Sequence, residues 1–487
     1  MSTQTMAEAP RQNKTGSEND LTQIDQIFEN LQANRQAMAN TNWAARVARL
    51  KKIHDWVNSH EDDIIAAGYA DFRKPASEVR LTEVYAVLSE ARHAIRHLKK
   101  WMKPKRVWPT LALATTRGKI IYEPKGVALV IAPWNYPFCL SIGPLISSIA
   151  AGCVTCIKPS EMTPAMSAVI RRMVADLFPE NEVAVFEGEV DVATALLDKP
   201  FHHIFFTGSP QVGKIVMKAA SNHLATVTLE LGGKSPTIID ESADLADAAA
   251  KIAWGKFINN GQTCIAPDYL LIHETRFEAF RDLLAKCIRA SYGETSEQRE
   301  SSPDYARIVN ANHFQRLKHL LDETLAMGAE LVQGGASNAE TQYLEPTLLA
   351  NVDPASPAMT EEIFGPILPM IPYRDLNEAL AIINAKHKPL ALYIFSTSKQ
   401  TIDRILSNTS AGGSCINEVA AHFLHANLPF GGINNSGIGN AHGEYGFKAF
   451  SHERAVLSHH RFSALKLMAP PYGKRAKRLI DLTLKYF

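Results

Sequence analysis

Cysteine and net charge are both scarce in this sequence. Its 487 residues include six cysteines, and 51 basic side chains against 50 acidic ones leave a formal net charge of +1. So few cysteines do not form a disulfide scaffold, and the lack of a basic field argues against a nucleic-acid partner. The first twenty residues also lack the apolar core of a secretory signal peptide. We therefore expect a cytoplasmic protein in which a thiol can stay free.

A long uncharged stretch, residues 126–157, could suggest a membrane span. However, Pro133, Pro137 and Pro144 interrupt it, and a continuous helix cannot keep its backbone hydrogen bonds through such a segment. The stretch instead predicts a buried strand, a loop, a short helix and a second buried strand. Cys153 and Cys156 in that second strand have the spacing of a redox or half zinc site. Because no second pair accompanies them, we interpret them as core cysteines and predict no metal site.

The remaining composition, 46% hydrophobic and 21% charged, is that of a globular chain with two or three domains. After Trp108, β-rich runs alternate with helical stretches, which predicts an α/β protein with parallel sheets. The runs are VALVIA, CVTCIKP, AVFEG, HIFFTG and VTLEL, and a second alternating stretch begins near Ser235. Gly232 and Gly233 supply a flexible corner, so we predict a domain boundary there. A basic C-terminal helix favours a solvent-exposed or inter-subunit surface over membrane attachment.

The segment from Gly208 to Ile215 could bind an anion. Ser209 suits a helix N-cap and Pro210 suits the first helical position, so a helix begins here with its free N–H groups exposed. The string falls one residue short of a P-loop because Ile215 replaces the hydroxyl that would hold magnesium. A nucleotidase is therefore disfavoured. The usual G-x-G-x-x-G fingerprint is also missing, so any dinucleotide is held by a different geometry.

Three residues have the chemistry of covalent catalysis. Cys264 follows a helix that we expect to end near residues 259–261, on a loop where a thiol can be exposed. Glu230 ends an apolar strand, and desolvation there would raise its pKa and suit it to general-base work. Asn135, between prolines and aromatic residues, has an amide that could donate to an oxyanion. Each has an ordinary structural alternative: a core cysteine, a salt-bridged glutamate and a turn residue.

Several strings, in this order and at these intervals, resemble the aldehyde dehydrogenase superfamily: PWNYP, IKPSE, FTGS, LELGGKSP, GQTC, EEIFGPILP and LPFGG…SGIG. The GQTCIAPDY form and the terminal PPYGK are similar to the class 3 branch, and within it to bacterial coniferyl-aldehyde dehydrogenases. The polar composition of residues 1–20 predicts a disordered segment. The resemblance implies a Rossmann-like cofactor domain over residues 21–230, with a bridging strand segment near 110–125. It further implies an α/β catalytic domain over 231–426, and a return to the cofactor domain with a dimerisation segment over 427–487.

The resemblance also implies a role for each matched residue. Cys264 would be the nucleophile and Glu230 the general base, with Asn135 and the Cys264 N–H as the oxyanion hole. Residues expected to hold the cofactor are Lys158, Glu161, Gly208, Ser209, Gly213, Leu231, Glu362 and Phe364. Residues expected to line the aldehyde pocket are Trp134, Tyr136, Phe430 and His442.

The implied reaction is oxidation of an aldehyde to a carboxylic acid through a thiohemiacetal and a thioester on Cys264. Coniferyl or a similar aromatic aldehyde is favoured, with medium- or long-chain aliphatic aldehydes as the alternative. A coenzyme A-acylating or catalytically idle member is less favoured because Cys264, Glu230 and Asn135 are all present. Glu161 favours NAD over NADP, although NADP could be tolerated. The implied assembly is a homodimer.

Overall fold

Two large sheets, each packed by helices, dominate the computed structural model, which describes residues 15–110, 113, 115–459 and 464–486. The first sheet has six strands, and five of them pair in parallel. Its strands, in spatial order, are Gly437–Ile438, Thr226–Leu231, His203–Gly208, Val127–Ile131, Val154–Lys158 and Val183–Val185. Every residue of Val127–Ile131 and Val154–Lys158 is buried, which explains why these central strands read as continuous apolar runs.

Helices connect and cover the strands of the first sheet. The connecting helices are Cys139–Ala151, Pro164–Leu177, Val190–Leu197 and Pro210–Asn222. The N-terminal part adds Thr15–Ala39, Trp43–Ser59, Glu61–Phe72, Ala76–Val79, a π-helical turn at Arg80–Val84, and Tyr85–Trp101. The first helix begins at Thr15, inside the segment predicted to be disordered, and residues 1–14 lie outside the described residues.

The second sheet has seven strands and begins after the paired glycines. Its strands, in spatial order, are Glu330–Gln333, Thr347–Ala350, Ile367–Tyr373, Tyr269–His273, Pro236–Ile239, Ala391–Phe395 and Gly413–Ile416. Its α-helices are Leu245–Phe257, Phe277–Tyr292, Ser296–Ser301, Ala311–Ala326, Pro357–Thr360, Leu376–Asn384 and Lys399–Asn408. Short 3-10 turns lie at Ile258–Gly261, Glu274–Arg276, Ala421–Leu424 and Ala464–Met468, and Ser337–Asn338 pairs with Tyr343–Leu344. The predicted α/β class and two-sheet organisation are confirmed.

A third, antiparallel sheet joins distant parts of the chain. It contains Lys105–Val107, Thr116–Pro124 and Ser451–His459, so the predicted bridging segment is a strand. The helix Gly443–Ala449 precedes its last strand, and the basic helix Lys474–Tyr486 follows. Within the described part of the chain, no helix combines the length and the apolar character needed to cross a bilayer.

The parallel strands of the first sheet place the candidate residues together. Lys158, Gly208 and Leu231 are each the last residue of a strand, and the PWNYP loop follows Val127–Ile131. Because parallel strands present their carboxyl ends at one edge, these residues share that edge, where open α/β sheets bind ligands.

Candidate active site

Cys264 lies on a loop whose backbone is locked by hydrogen bonds. The preceding helix ends at Phe257, close to the predicted position, and Asn259 and Asn260 then adopt left-handed φ values of 54° and 57°. Asparagine tolerates this region better than most residues. The Gln262 amide donates to the carbonyls of Asn259 and Arg307, both at 3.0 Å, and its oxygen accepts from the Val309 N–H at 3.0 Å. The loop is therefore held in one conformation.

The loop that carries Asn135 is joined to the Cys264 loop. The Asn135 amide donates to the Gln262 carbonyl at 3.0 Å, and the Asn259 amide donates to the Asn135 carbonyl at 2.9 Å. Asn135 is only 3% exposed. A primary amide has two N–H groups, and the bond to Gln262 uses one of them. Asn135 is not among the residues that line the cavity described next, so its role toward a substrate oxygen stays a prediction.

Cys264 and Glu230 line one cavity of about 310 Å³. Glu230 reaches it from the end of Thr226–Leu231, while Cys264 reaches it from the second sheet's side. Most of the other lining residues are apolar: Leu81, Tyr136, Leu140, Pro144, Phe205, Trp254, Ile258, Ile265, Val419, Phe423, Leu424 and Phe430. The cavity therefore suits an apolar ligand with one reactive polar group facing the thiol.

The enclosed cavity changes the acidity of both groups. Burial raises the pKa of the Cys264 thiol to about 12, and the nearby Glu362 and Glu230 carboxyls add to the effect. Cys264 is partly exposed and lines this cavity. Burial alone holds the pKa of Glu230 well above 4.5, since neither carboxyl oxygen has a hydrogen-bond partner among the described residues. The site therefore holds a neutral thiol and a carboxyl group whose charged form is disfavoured by burial.

A short strand from the C-terminal part of the chain pairs with the strand that carries Glu230. Gly437 pairs with Glu230 in antiparallel register, and the Leu231 N–H donates to the Ser436 carbonyl at 3.1 Å. Gly437 has a φ of 152°, and a Cβ there would strike the Leu229 carbonyl. The string LPFGG…SGIG thus contains a short strand that pairs with the backbone of Glu230 at the edge of the first sheet.

The predicted cofactor residues gather at the sheet edge. A Cβ on Gly213 would lie 2.7 Å from Leu231 Cδ2, so the helix Pro210–Asn222 approaches the strand end more closely than other residues allow. Ser209 caps that helix by accepting from the Val212 N–H at 3.3 Å. At the end of Val154–Lys158, two strands away from His203–Gly208, Lys158 Nζ lies 2.6 Å from Glu161 Oε2. This arrangement fits a dinucleotide with its phosphates at the helix N-terminus.

Glu362 and Phe364 belong to the second sheet's side of the same cleft. The Glu362 carboxylate lies against Gly232, where a Cβ would collide with it. Burial and the nearby Asp268 raise the pKa of Glu362 to about 8. Phe364 has a φ of 49° and meets the Trp134 ring edge-on at 5.3 Å between centroids. Both residues thus lie against the first sheet's side of the site, at Gly232 and Trp134, and their contact with a cofactor stays a prediction.

The four predicted pocket residues do not all reach the cavity. Tyr136, Phe430 and His442 line it. Trp134 is absent from the lining; it packs against Phe364 and the His313 ring, 4.9 Å away between centroids. The PWNYP loop turns consecutive side chains in different directions, which sequence proximity cannot reveal.

Sequence reasoning missed residues contributed by distant segments. Leu81 and Thr82 of the π-helical turn, and Trp254 and Phe423, line the cavity. Glu90 was also missed: its Oε2 lies 3.6 Å from His442 Nδ1, and its Oε1 accepts from the Gly443 N–H at 2.7 Å. A signal existed, because Glu83, Val87, Glu90 and Ala94 form one buried helical stripe in which two charged residues are out of place.

Comparison with known proteins agrees with this geometry. The profile of the "Aldehyde dehydrogenase family" matches residues 10–456. The chain is 42% identical to the 4,4'-diaponeurosporen-aldehyde dehydrogenase of Staphylococcus aureus, over 93% of this chain and 98% of that protein. It is 41% identical to a protein of Pseudomonas aeruginosa named "Probable coniferyl aldehyde dehydrogenase", over 95% and 97%.

A solved structure has the same fold. The substrate-bound state of Staphylococcus aureus AldH superposes with a TM-score of 0.90 and 41% identity, covering 94% of this chain and 99% of that one. The predicted superfamily and fold are therefore confirmed. The chain belongs to the aldehyde dehydrogenase family and is an NAD(P)-dependent aldehyde dehydrogenase.

Proposed function

We propose that this enzyme oxidises coniferyl aldehyde or a similar aromatic aldehyde to the carboxylic acid, with Cys264 as nucleophile and NAD as preferred cofactor. The observation that carries the proposal is the shared cavity, in which the Cys264 thiol and the Glu230 carboxyl face an otherwise largely apolar space. A thiol and a carboxyl base that line the same cavity are the groups needed to form a thioester and then hydrolyse it.

The residues divide the reaction between them. The Cys264 thiol loses its proton to solvent, and its sulfur attacks the aldehyde carbonyl. The second N–H of Asn135 and the Cys264 N–H stabilise the resulting oxyanion, each donor contributing about 3–4 kcal/mol. When bound, the oxidised nicotinamide would supply a positive charge that favours the thiolate and would provide the acceptor for the hydride. Glu230 then takes a proton from water, whose oxygen attacks the thioester carbonyl. The carbon–sulfur bond breaks, which releases the acid and returns the sulfur to Cys264 as the thiolate. Because Glu230 supplies this base, transfer of the acyl group to coenzyme A is not needed, and we expect turnover without it.

Two carboxylates and a helix N-terminus would hold the cofactor. Glu161, held by Lys158, would accept from the ribose 2′-hydroxyl, and the N-terminus of Pro210–Asn222 would face the pyrophosphate. Glu362 would bind the second ribose beside Phe364. The close approach at Gly213 and the capped helix support this assignment.

Cofactor preference follows from the Glu161 carboxylate. Its charge should repel the 2′-phosphate of NADP, so kcat/KM is expected to be higher with NAD. Glu161→Gln should lower the NAD-to-NADP ratio of kcat/KM by about fivefold, since two unit charges about 4 Å apart interact by about 1 kcal/mol in bulk water. Steady-state rates with each cofactor measure this. A wild-type enzyme that strongly favours NADP would contradict the assignment.

The cavity wall supports an aromatic substrate. Phe423 meets Phe430 edge-on at 5.0 Å and His442 at 4.7 Å, and Phe430 lies 5.4 Å from His442. All three line the cavity. A flat ring gains edge and face contacts with such a wall beyond its simple burial, whereas a saturated chain gains burial alone.

A panel of aldehydes tests this preference. We expect kcat/KM for coniferyl aldehyde and cinnamaldehyde to exceed that for hydrocinnamaldehyde and decanal by about 10-fold or more, a ratio typical of pocket discrimination. Phe423→Leu should lower kcat/KM for the aromatic aldehydes while leaving kcat/KM for the aliphatic aldehydes nearly unchanged, so that the ratio between them falls. Higher efficiency with decanal than with every aromatic aldehyde would instead favour the aliphatic alternative.

A further inference from the structure

A fully buried ion pair lies beneath the candidate active site. Lys74 Nζ is 3.0 Å from Glu83 Oε1, and the two side chains are 0% and 1% exposed. The same ammonium lies 4.0 Å from the centroid of the Tyr136 ring. Burying two charges is costly, and the cost is offset only when further contacts satisfy both groups. Here the aromatic face is one such contact, so the position of the ring and that of the ion pair depend on each other.

The carboxylate of the ion pair is also bonded to a helix of the first sheet. Glu83 Oε2 accepts from the Cys139 N–H at 2.8 Å, at the start of the helix Cys139–Ala151. A carboxylate is stabilised at a helix N-terminus. Glu83 belongs to the π-helical turn Arg80–Val84, and its neighbours Leu81 and Thr82 line the cavity. Such turns occur frequently at functional sites.

The Tyr136 hydroxyl reaches the residue before the nucleophile. Tyr136 Oη and Thr263 Oγ1 share a hydrogen bond of 2.6 Å. Burial holds the pKa of this phenol well above 10 despite that bond. The hydroxyl therefore stays neutral and acts as a hydrogen-bonding group, with no role in moving a proton.

We propose that Tyr136 is a positioning residue for Cys264: the Lys74–Glu83 pair holds its ring, and its hydroxyl holds Thr263 and thereby the nucleophile's backbone. The inference rests on the proposed role of Cys264. Asn135, next to Tyr136 in the chain, and the Cys264 N–H form the two halves of the proposed oxyanion site. The Tyr136–Thr263 bond joins these halves on the cavity side, and the Asn135–Gln262 and Asn259–Asn135 bonds join them behind it. A displacement of about 1 Å in such a site can cost 10²-fold in rate.

Tyr136→Phe tests the proposal because it removes the hydroxyl and keeps the ring. We expect kcat for NADH formation to fall about 10- to 100-fold, with little change in KM for aldehyde or cofactor. The loss should be similar for benzaldehyde and coniferyl aldehyde. Thr263→Val should give the same loss, and the double variant should be no worse than either single one. A residue that merely lines the pocket would instead change KM in a way that depends on substrate size.

The ion pair is tested by Lys74→Met combined with Glu83→Gln. The pair of changes removes both charges together, since Lys74→Met alone would leave a buried charge and could prevent folding. The glutamine keeps an acceptor for the Cys139 N–H. We expect a cooperative melting transition to be retained and kcat to fall as in Tyr136→Phe. A kcat within twofold of wild type in both Tyr136→Phe and the double variant, while Cys264→Ala is inactive, would overturn the positioning role alone. Activity in Cys264→Ala would overturn the proposed function itself.

Discussion

Replacing Cys264 by alanine is expected to abolish aldehyde oxidation, lowering kcat/KM by about 10⁴-fold or more. Cys139 also lines the cavity, but it is buried, and burial holds the pKa of its thiol well above the usual value, so it is a poor replacement nucleophile. The other cysteine nearest the surface, Cys287, is partly exposed on the helix Phe277–Tyr292, away from the cavity lining. NADH absorbance with an aromatic aldehyde measures the loss directly.

Cys287→Ala is the matched control for that experiment. It removes the same sulfur-bearing group and should keep wild-type turnover. Cofactor binding, followed by fluorescence, should survive in both variants, which separates a chemical defect from a folding defect. Substantial residual oxidation by Cys264→Ala would contradict the assignment of the nucleophile.

Glu230→Gln is expected to stop the reaction halfway. The amide has the shape of the carboxyl but cannot take a proton from water, so the thioester should form and then hydrolyse about 10²- to 10⁴-fold more slowly. Rapid mixing should show a burst of NADH close to one per active site, followed by slow turnover. Intact-protein mass spectrometry should detect the acyl group on Cys264.

The pH profile gives a second readout of the same residue. Burial raises the pKa of Glu230, so its basic form is populated only as the pH rises through that elevated value. Thioester hydrolysis should therefore accelerate with pH in the wild type, and this dependence should disappear in Glu230→Gln. Glu340→Gln, a change at an exposed glutamate, should leave the profile unaltered. Rapid steady turnover by Glu230→Gln would assign the base elsewhere.

The sequence predicted secondary structure well where the structure depends on neighbouring residues alone. Strands such as Val154–Lys158 are buried on both faces, so their apolar runs predict both their existence and their parallel pairing. Ser209 and Pro210 mark the start of a helix by local chemistry alone, and the structure begins the helix at Pro210. The two asparagines after Phe257 likewise mark where the helix before Cys264 stops.

The sequence pattern was less informative about the direction of a side chain, because tertiary packing sets that direction. Trp134 and Tyr136 are two residues apart in one loop, yet Tyr136 faces the cavity and Trp134 faces Phe364. Glu83 and Glu90 lie on a helical stripe that reads as core, and only their partners Lys74 and His442 explain two buried carboxylates there. The stripe shows that these carboxylates are unusual, but the sequence pattern does not identify the partner of either one.

The order of motifs along the chain, without any coordinates, was sufficient for the family, the α/β class and the identities of a thiol, a carboxyl and an amide suited to acyl chemistry. These depend on residue type and spacing, which the chain carries in itself. The tertiary structure alone decided that Cys264 and Glu230 share one largely apolar cavity, that a C-terminal strand pairs with the strand of Glu230, and that a buried ion pair lies against the Tyr136 ring. Each of these features depends on groups that are brought into contact only by folding, and their acidity and orientation follow from that contact.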